Sequence, residues 1–353
     1  MSVTDAAKET HGSRRSQWRR LDSLFAGSGP TILAPPVYRG RQWPFLALVL
    51  AVGCVVPLAF GGDPYHDGLL IQALTSAILA LGFFWCFGFG GQFTFAVFAM
   101  YAAGAYVSVW GAAHFGGFWS GLVLAMVVTA AIGGLTRLVF VKLAPIYFAI
   151  ATLAVGELLF ILFRQWTSFT GGYNGVSSIA VPSVFGFRLG TPHRLYYLML
   201  GVLGVFLAAT VALVRSPAMR DLIMSRDHGP VAATAGLRPR HLTLIAFMVG
   251  SAMQGAAGSL YAHSSSFFSL ESFSVDISLS VLLMVLLGGM DSVYGPVIGA
   301  AVVVYLPELL RSAQKYSDLF YAGLVLLIVV AFPGGVAGVR GIAGRWIQRA
   351  RSH

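Results

Sequence analysis

Leu282-Leu283-Met284-Val285-Leu286-Leu287-Gly288-Gly289-Met290, continuing as Asp291-Ser292-Val293-Tyr294-Gly295-Pro296, is the segment on which the topology turns. Apolar residues 277–287 lead into its Gly/Pro-rich centre, and apolar residues 297–310 lead out of it. The pair reads either as one broken helix or as two short helices joined by a turn. Lys and Arg collect on the cytoplasmic side of short loops. With two helices the chain crosses ten times, both termini are cytoplasmic, and 18 of the 23 Lys and Arg fall inside. With one helix it crosses nine times and the inside count drops to 16. The charge pattern favours ten crossings. The short helices beside the turn must then lie against protein, because lipid offers no partner for freed backbone groups.

Outward from this segment, further runs approach the roughly 20 apolar residues that a helix needs to cross the hydrocarbon core. They are 45–61, 69–88, 93–113, 119–140, 146–163, 195–214, 242–262 and 319–332. Across all 353 residues, 57% are hydrophobic and 10% are charged. A soluble domain carries about 25% charged residues, so this chain cannot cover a water-facing surface of ordinary polarity. A soluble enzyme, a disordered chain and a nucleic-acid binder are all excluded on this ground. The net charge of +10 sits at the ends and in a few loops, where it acts as an orientation signal. The expected architecture is an all-α polytopic membrane protein. Residues 1–44 form a cytoplasmic tail, 45–333 a transmembrane domain with a cytoplasmic loop at 215–241, and 334–353 a basic cytoplasmic tail.

No cleavable signal peptide is visible in the polar, Arg-rich first 43 residues. Trp18, Leu21, Leu24 and Phe25 lie at helix spacing among Arg14, Arg15, Arg19 and Arg20. This tail reads as an amphipathic helix on the membrane surface or as a disordered basic segment, and both readings stay open. Cys54 and Cys86 stand inside apolar runs and read as small buried hydrophobes.

Small residues recur every four positions in three spans. They are Gly117, Gly121, Ala125, Thr129 and Gly133; Gly104, Ser108 and Ala112; and Ser251, Gly255 and Ser259. Small residues let helix backbones approach closely in lipid, so these stripes predict helix packing. Carboxylates inside a membrane are expensive and mark functional candidates. Glu157, on one face with Tyr147, Ile150 and Ala154, and Glu308, after Pro307, are the two. Glu157 reads as a pathway group, a partner for another chain or an interhelical hydrogen bond. The loop 164–194 should lie outside. The loop 215–241 carries five Arg and two Asp, and its run Val231–Ala235 between Pro230 and Gly236 predicts a short docking helix. No Gly-x-x-x-x-Gly-Lys, Gly-x-Ser-x-Gly, His-Glu-x-x-His or paired-Cys motif is present, and the eight His show no ligand spacing. No catalytic site, metal or cofactor is expected on this chain.

Four stretches in a fixed order carry a family resemblance. The first is Gly90-Gly91-Gln92-Phe93-Thr94-Phe95 with Gly104-Ala105-Tyr106. The second is Ile146–Ala154 with Glu157, then Trp166–Gly172. The third is Gly236-Leu237, Leu244–Phe247, Gly255–Gly258 and Leu260–His263. The fourth is Leu282–Met290 with Gly295–Ala300. Over about residues 69–340 the chain resembles the branched-chain amino acid ABC transporter permease family, LivM type. Two positions depart from the family pattern. Ala96-Val97 replaces a Gly-His pair, and Ser225–Pro230 lacks the usual acidic cluster.

The resemblance implies an ABC importer permease fold in a bacterial inner membrane. It implies a sister permease subunit completing a heterodimer, two cytoplasmic ATP-binding subunits and a periplasmic substrate-binding protein. The ATPase-coupling segment would run from Arg220 to Gly236, with Arg220, Asp221, Arg226, Asp227, Ala232, Ala233 and Gly236 as its residues. Pore or packing roles would fall to Gly91, Gln92, Thr94, Gly104, Glu157, Gly171, Gly172, Gly288, Gly289, Gly295 and Pro296. The implied solute is a branched-chain amino acid, with urea, short amides or aromatic acids as the alternative. A stand-alone secondary carrier is the contrasting reading. It requires interrupted helices in both halves, and the sequence shows one interruption, 288–296, with no counterpart in the first half.

Overall fold

A computed structural model describes residues 43–310, apart from 61–63, 178, 180, 181, 185, 186, 189, 215, 228–231, 233, 235–237, 266 and 291. The N-terminal tail with its two open readings, the run 319–332 and the C-terminal tail lie outside the described residues. The helices in chain order are α1 (Trp43–Phe60), α2 (Pro64–Phe84), α3 (Val97–His114), α4 (Phe118–Val139), α5 (Pro145–Gln165), α6 (Pro192–Val214), α7 (Pro217–Asp227), α8 (Pro239–Ser264), α9 (Val275–Gly288) and α10 (Gly295–Leu310). Five of them, α2 and α5 to α8, begin at a proline. Its fixed φ suits the first turn, and its missing N–H would have had no helical partner there.

The protein is an all-α polytopic membrane protein. Among the described residues six segments are long and apolar enough to cross a bilayer: α2 with its extension, α4, α5, α6, α8 and Leu270–Gly288. Parts of α1 and α10 are shorter apolar helices. Most of α3 is buried against other helices, so its composition is set by protein contact and it tolerates small and aromatic polar residues.

The three small-residue stripes meet in one interface. α3, α4 and α8 are the most extensively packed trio. A Cβ on Gly104 would overlap the backbone of Gly255, and one on Gly121 would overlap the Ser108 carbonyl oxygen. Gly133 abuts Ser251, and Gly255 abuts Thr129. The hydroxyls of Ser108 and Ser259 stand 2.6 Å apart. Gly117 departs from the pattern: it precedes α4 with a φ of 125° and has open space around it.

One end of the bundle carries the 166–191 and 265–274 connections. The long loop is partly ordered by a helical turn, Thr167–Thr170, and by β1 (Val176–Ser177), which pairs antiparallel with β4 (Phe267–Phe268). β2 (Ser183–Val184) and β3 (Phe187–Arg188) form a small hairpin. Phe268 of β4 packs against Tyr261 and Phe273, and both of these pack in turn against Tyr101.

Three expectations are corrected. The run 93–113 does not form one helix from Phe93; α3 starts at Val97, and residues 90–96 are non-helical. The 215–241 segment, expected to be a loop with one short helix at 231–235, opens with the helix α7 at 217–227. Cys86 is buried, but Cys54 is exposed. It lies on α1, whose main contact is with α6 alone, leaving most of its surface uncovered.

Candidate functional site

The first element is a break in α2. Its α-helix ends at Phe84 and continues as one π-turn, Trp85–Phe89, followed by the non-helical Gly90–Ala96. Bulky side chains in Phe83-Phe84-Trp85-Cys86-Phe87-Gly88-Phe89 interlock here, with Phe84 and Trp85 against Phe89. Trp85 Nε1 donates to Thr210 Oγ1 at 3.0 Å, which anchors the π-turn on α6. Gly91 then turns the chain with a φ of 64°, a left-handed geometry that glycine adopts without Cβ strain. The N–H groups of Gly90, Gly91 and Gln92 return to the carbonyls of Trp85, Phe87 and Cys86.

Non-helical backbone packed among helices needs partners supplied by protein. Phe95 N–H donates to Thr152 Oγ1 at 3.1 Å, and Phe98 N–H donates to Ser278 Oγ at 3.1 Å. The Ser278 hydroxyl donates in turn to the Phe95 carbonyl at 2.8 Å. Thr94 Oγ1 accepts from Ala96 N–H at 3.2 Å. Thr94 therefore shapes the start of α3. Gln92 is only partly covered, beside this turn. The π-turn and Gly90–Ala96 form the connection between α2 and α3, two runs that the sequence reads as separate crossings, while 289–294 connects α9 to α10. The sequence places this connection between the runs 69–88 and 93–113; the structure extends it to Ala96, where hydroxyls from α5 and α9 hold the backbone.

The second interruption joins α9 to α10. A Cβ on Gly288 would collide with the Gly295 carbonyl, and one on Gly299 with the Met284 carbonyl. Gly289 takes a φ of 100°, and Pro296 is buried in the first turn of α10. Gly288, Gly289, Gly295 and Pro296 are therefore hairpin-packing residues. Gly171 and Gly172 shape a turn in the 166–191 connection, where Gly172 N–H donates to Thr170 Oγ1.

Between α2, α8, α9 and α10 lies a cleft of about 1070 Å³. From α2 it receives Gly68, Gln72, Thr75 and Ser76, and from the α8–α9 side Ser264, Ser265, Ser272 and Ser280. Leu79, Tyr101 and Met284 supply apolar lining. Glu308 stands in the wall, accepting a hydrogen bond from Tyr65 at 2.5 Å. A lining of hydroxyls, one amide and one carboxylate beside apolar side chains suits a small solute with both polar and apolar parts. Sequence reasoning missed this lining. Its signal was present as Gly68, Gln72, Thr75 and Ser76, a small and polar stripe at helix spacing within an apolar run.

At its opposite end the same α2 meets α7. Met219, Leu222, Ile223 and Ser225 turn inward. Arg220, Arg226 and Asp227 are exposed, and Asp221 is partly covered. Arg226 pairs with Asp227 at 2.7 Å and donates to the Gly88 carbonyl oxygen. A Cβ on Gly91 would meet the Arg226 stem. Arg226 thus ties α7 to the π-turn. Ala232 is helical and buried, whereas Ala233 and Gly236 lie outside the described residues. Glu157 joins neither the cleft nor the break; it is exposed on the outer face of α5. Among the described residues no His/Cys/Asp/Glu cluster suits a metal ion.

The sequence matches a known set of proteins. The family described as "Branched-chain amino acid transport system / permease component" matches residues 65–330. This chain belongs to that family. The high-affinity branched-chain amino acid transport system permease protein LivM of Salmonella typhimurium is 31% identical over 337 residues, covering 88% of this chain and 78% of the relative. LivM of Escherichia coli K12 matches to the same extent. The permease protein LivH of Escherichia coli K12 is 24% identical over 290 residues, covering 75% of this chain and 91% of its own. No solved structure gives a significant match.

Proposed function

We propose that this chain is one of two permease subunits of an ABC-type importer in a bacterial inner membrane, moving branched-chain amino acids while separate subunits hydrolyse ATP. The supporting observation is that one helix serves both ends of the task. α2 walls the cleft with Gly68–Leu79 and, at Gly88, is tied to α7 through Arg226. α7 offers Arg220 and Asp227 to a partner. In this reading the cleft faces the periplasm, α7 faces the cytoplasm and the termini are cytoplasmic, with ten crossings. A binding protein delivers solute to the 166–191 and 265–274 side. ATPase motion at α7 reaches the cleft along α2, while the α3–α4–α8 trio keeps the core packed.

The test is uptake of radiolabelled leucine into proteoliposomes holding the chain with its sister permease, ATPases and binding protein. ATP-dependent uptake is expected from the full set and none from the chain alone. R220E is expected to insert normally yet lose ATPase co-purification. Uphill transport by the chain alone would overturn the reading.

A further inference from the structure

We propose that the face of α5 formed by Tyr147, Ile150, Ala154, Glu157 and Ile161 is the docking seam for the second permease subunit, whose facing helix gives Glu157 a hydrogen-bond donor or a cation. The proposal rests on the two-subunit reading above.

The five residues are spaced three, four, three and four apart, the repeat with which one helix lies along another. All five are exposed. α5 is the least enclosed of the candidate spans, with 28% of its apolar window buried. Exposure alone fits a lipid face, as for Val127 and Leu135 on α4. Glu157 does not fit one. It is the thirteenth residue of a 21-residue helix, with apolar neighbours on both sides. A carboxylate at that depth pairs, or it faces protein or water. Among the described residues no hydrogen bond, ion pair or ring contact involves Glu157, and it does not line the cleft.

Ala154, one turn away, has the small side chain that permits close helix approach. A second copy of this chain is a poor occupant. A two-fold seam sets a patch against itself, bringing two Glu157 carboxylates together with no cation on the seam. A different subunit supplies a complementary group.

The experiment places p-benzoylphenylalanine singly at Tyr147, Ile150 and Ile161, with Val127 and Leu135 as lipid-face controls. The chain is co-expressed with its sister permease, ATPases and binding protein, and illuminated in native membranes. The expected result is a covalent adduct with the sister permease from the α5 sites and none from the controls. E157Q should keep the adduct yield and E157K should lower it more than tenfold. Should the α5 sites yield no protein adduct in a complex that co-purifies intact, the seam is overturned and the transport reading stands. An adduct between two copies of this chain also overturns it. Failure of any second permease or ATPase to co-purify overturns the transport reading itself.

Discussion

A methyl group decides whether the α9–α10 hairpin closes. At Gly299 an added Cβ would fall on the Met284 carbonyl, which is fixed backbone and cannot rotate away. At Gly201, in α6, the same addition meets nothing within 4 Å. The two substitutions therefore separate packing from helix propensity. G299A should destabilise the detergent-solubilised protein by about 1–3 kcal/mol or more, the usual cost of overpacking. G201A should leave stability unchanged or raise it by up to about 1 kcal/mol, since Ala is the better helix former. Thermal denaturation followed by tryptophan fluorescence measures both. No loss from G299A would mean that the close approach at Gly299 is relieved by backbone movement. At this scale the sequence was informative: the three small-residue stripes were legible, and they meet. Gly117 was misjudged because spacing alone does not reveal where a helix begins.

Both helix connections carry glycine in the sequence, Gly288 to Pro296 with proline and Gly88, Gly90 and Gly91 without it; how far the second one runs, to Ala96, is set by crowded aromatic side chains and by hydroxyls from distant helices. Ser278 is 183 residues from Phe95 in sequence, so no local pattern could reveal it. S278A removes the acceptor for Phe98 N–H and the donor to the Phe95 carbonyl in a buried site. Each group left unsatisfied costs about 1–3 kcal/mol, and the start of α3 should fray. A lowered denaturation midpoint with faster amide exchange at Phe95–Phe98 is the expected outcome; unchanged exchange would show that other groups hold the break. The helix α7 was likewise missed, because its mixed polar composition reads as loop until its buried side, Met219, Leu222 and Ile223, is seen against the bundle. R226A cuts its tie to the Gly88 carbonyl. ATPase co-purification should persist, since Arg220 and Asp227 remain, while leucine uptake per ATP hydrolysed should fall several-fold. Uptake and hydrolysis falling together would make Arg226 part of the ATPase contact instead.

Over the whole molecule, the cleft and the α7 contact lie at opposite ends of α2, and only the fold shows that one helix joins them. The cleft was the least legible feature. Gln72, Thr75 and Ser76 come from α2, and the other polar residues come one or two at a time from α8, the α8–α9 connection, α9 and α10, so no single segment carries the whole site. If the cleft is the solute path, filling it must stop transport without disturbing assembly. Gln72 and Ser280 face it from α2 and α9, and both are incompletely buried, so larger side chains enter open volume and do not overpack a core. Q72W and S280W should each cut leucine uptake at least tenfold in the assembled transporter, with co-purification of the ATPases unchanged. T75S, which removes one methyl group beside the cleft and keeps the hydroxyl, should change uptake little. Wild-type uptake by both tryptophan variants, with assembly intact, would move the solute path away from these four helices and toward the surface between subunits.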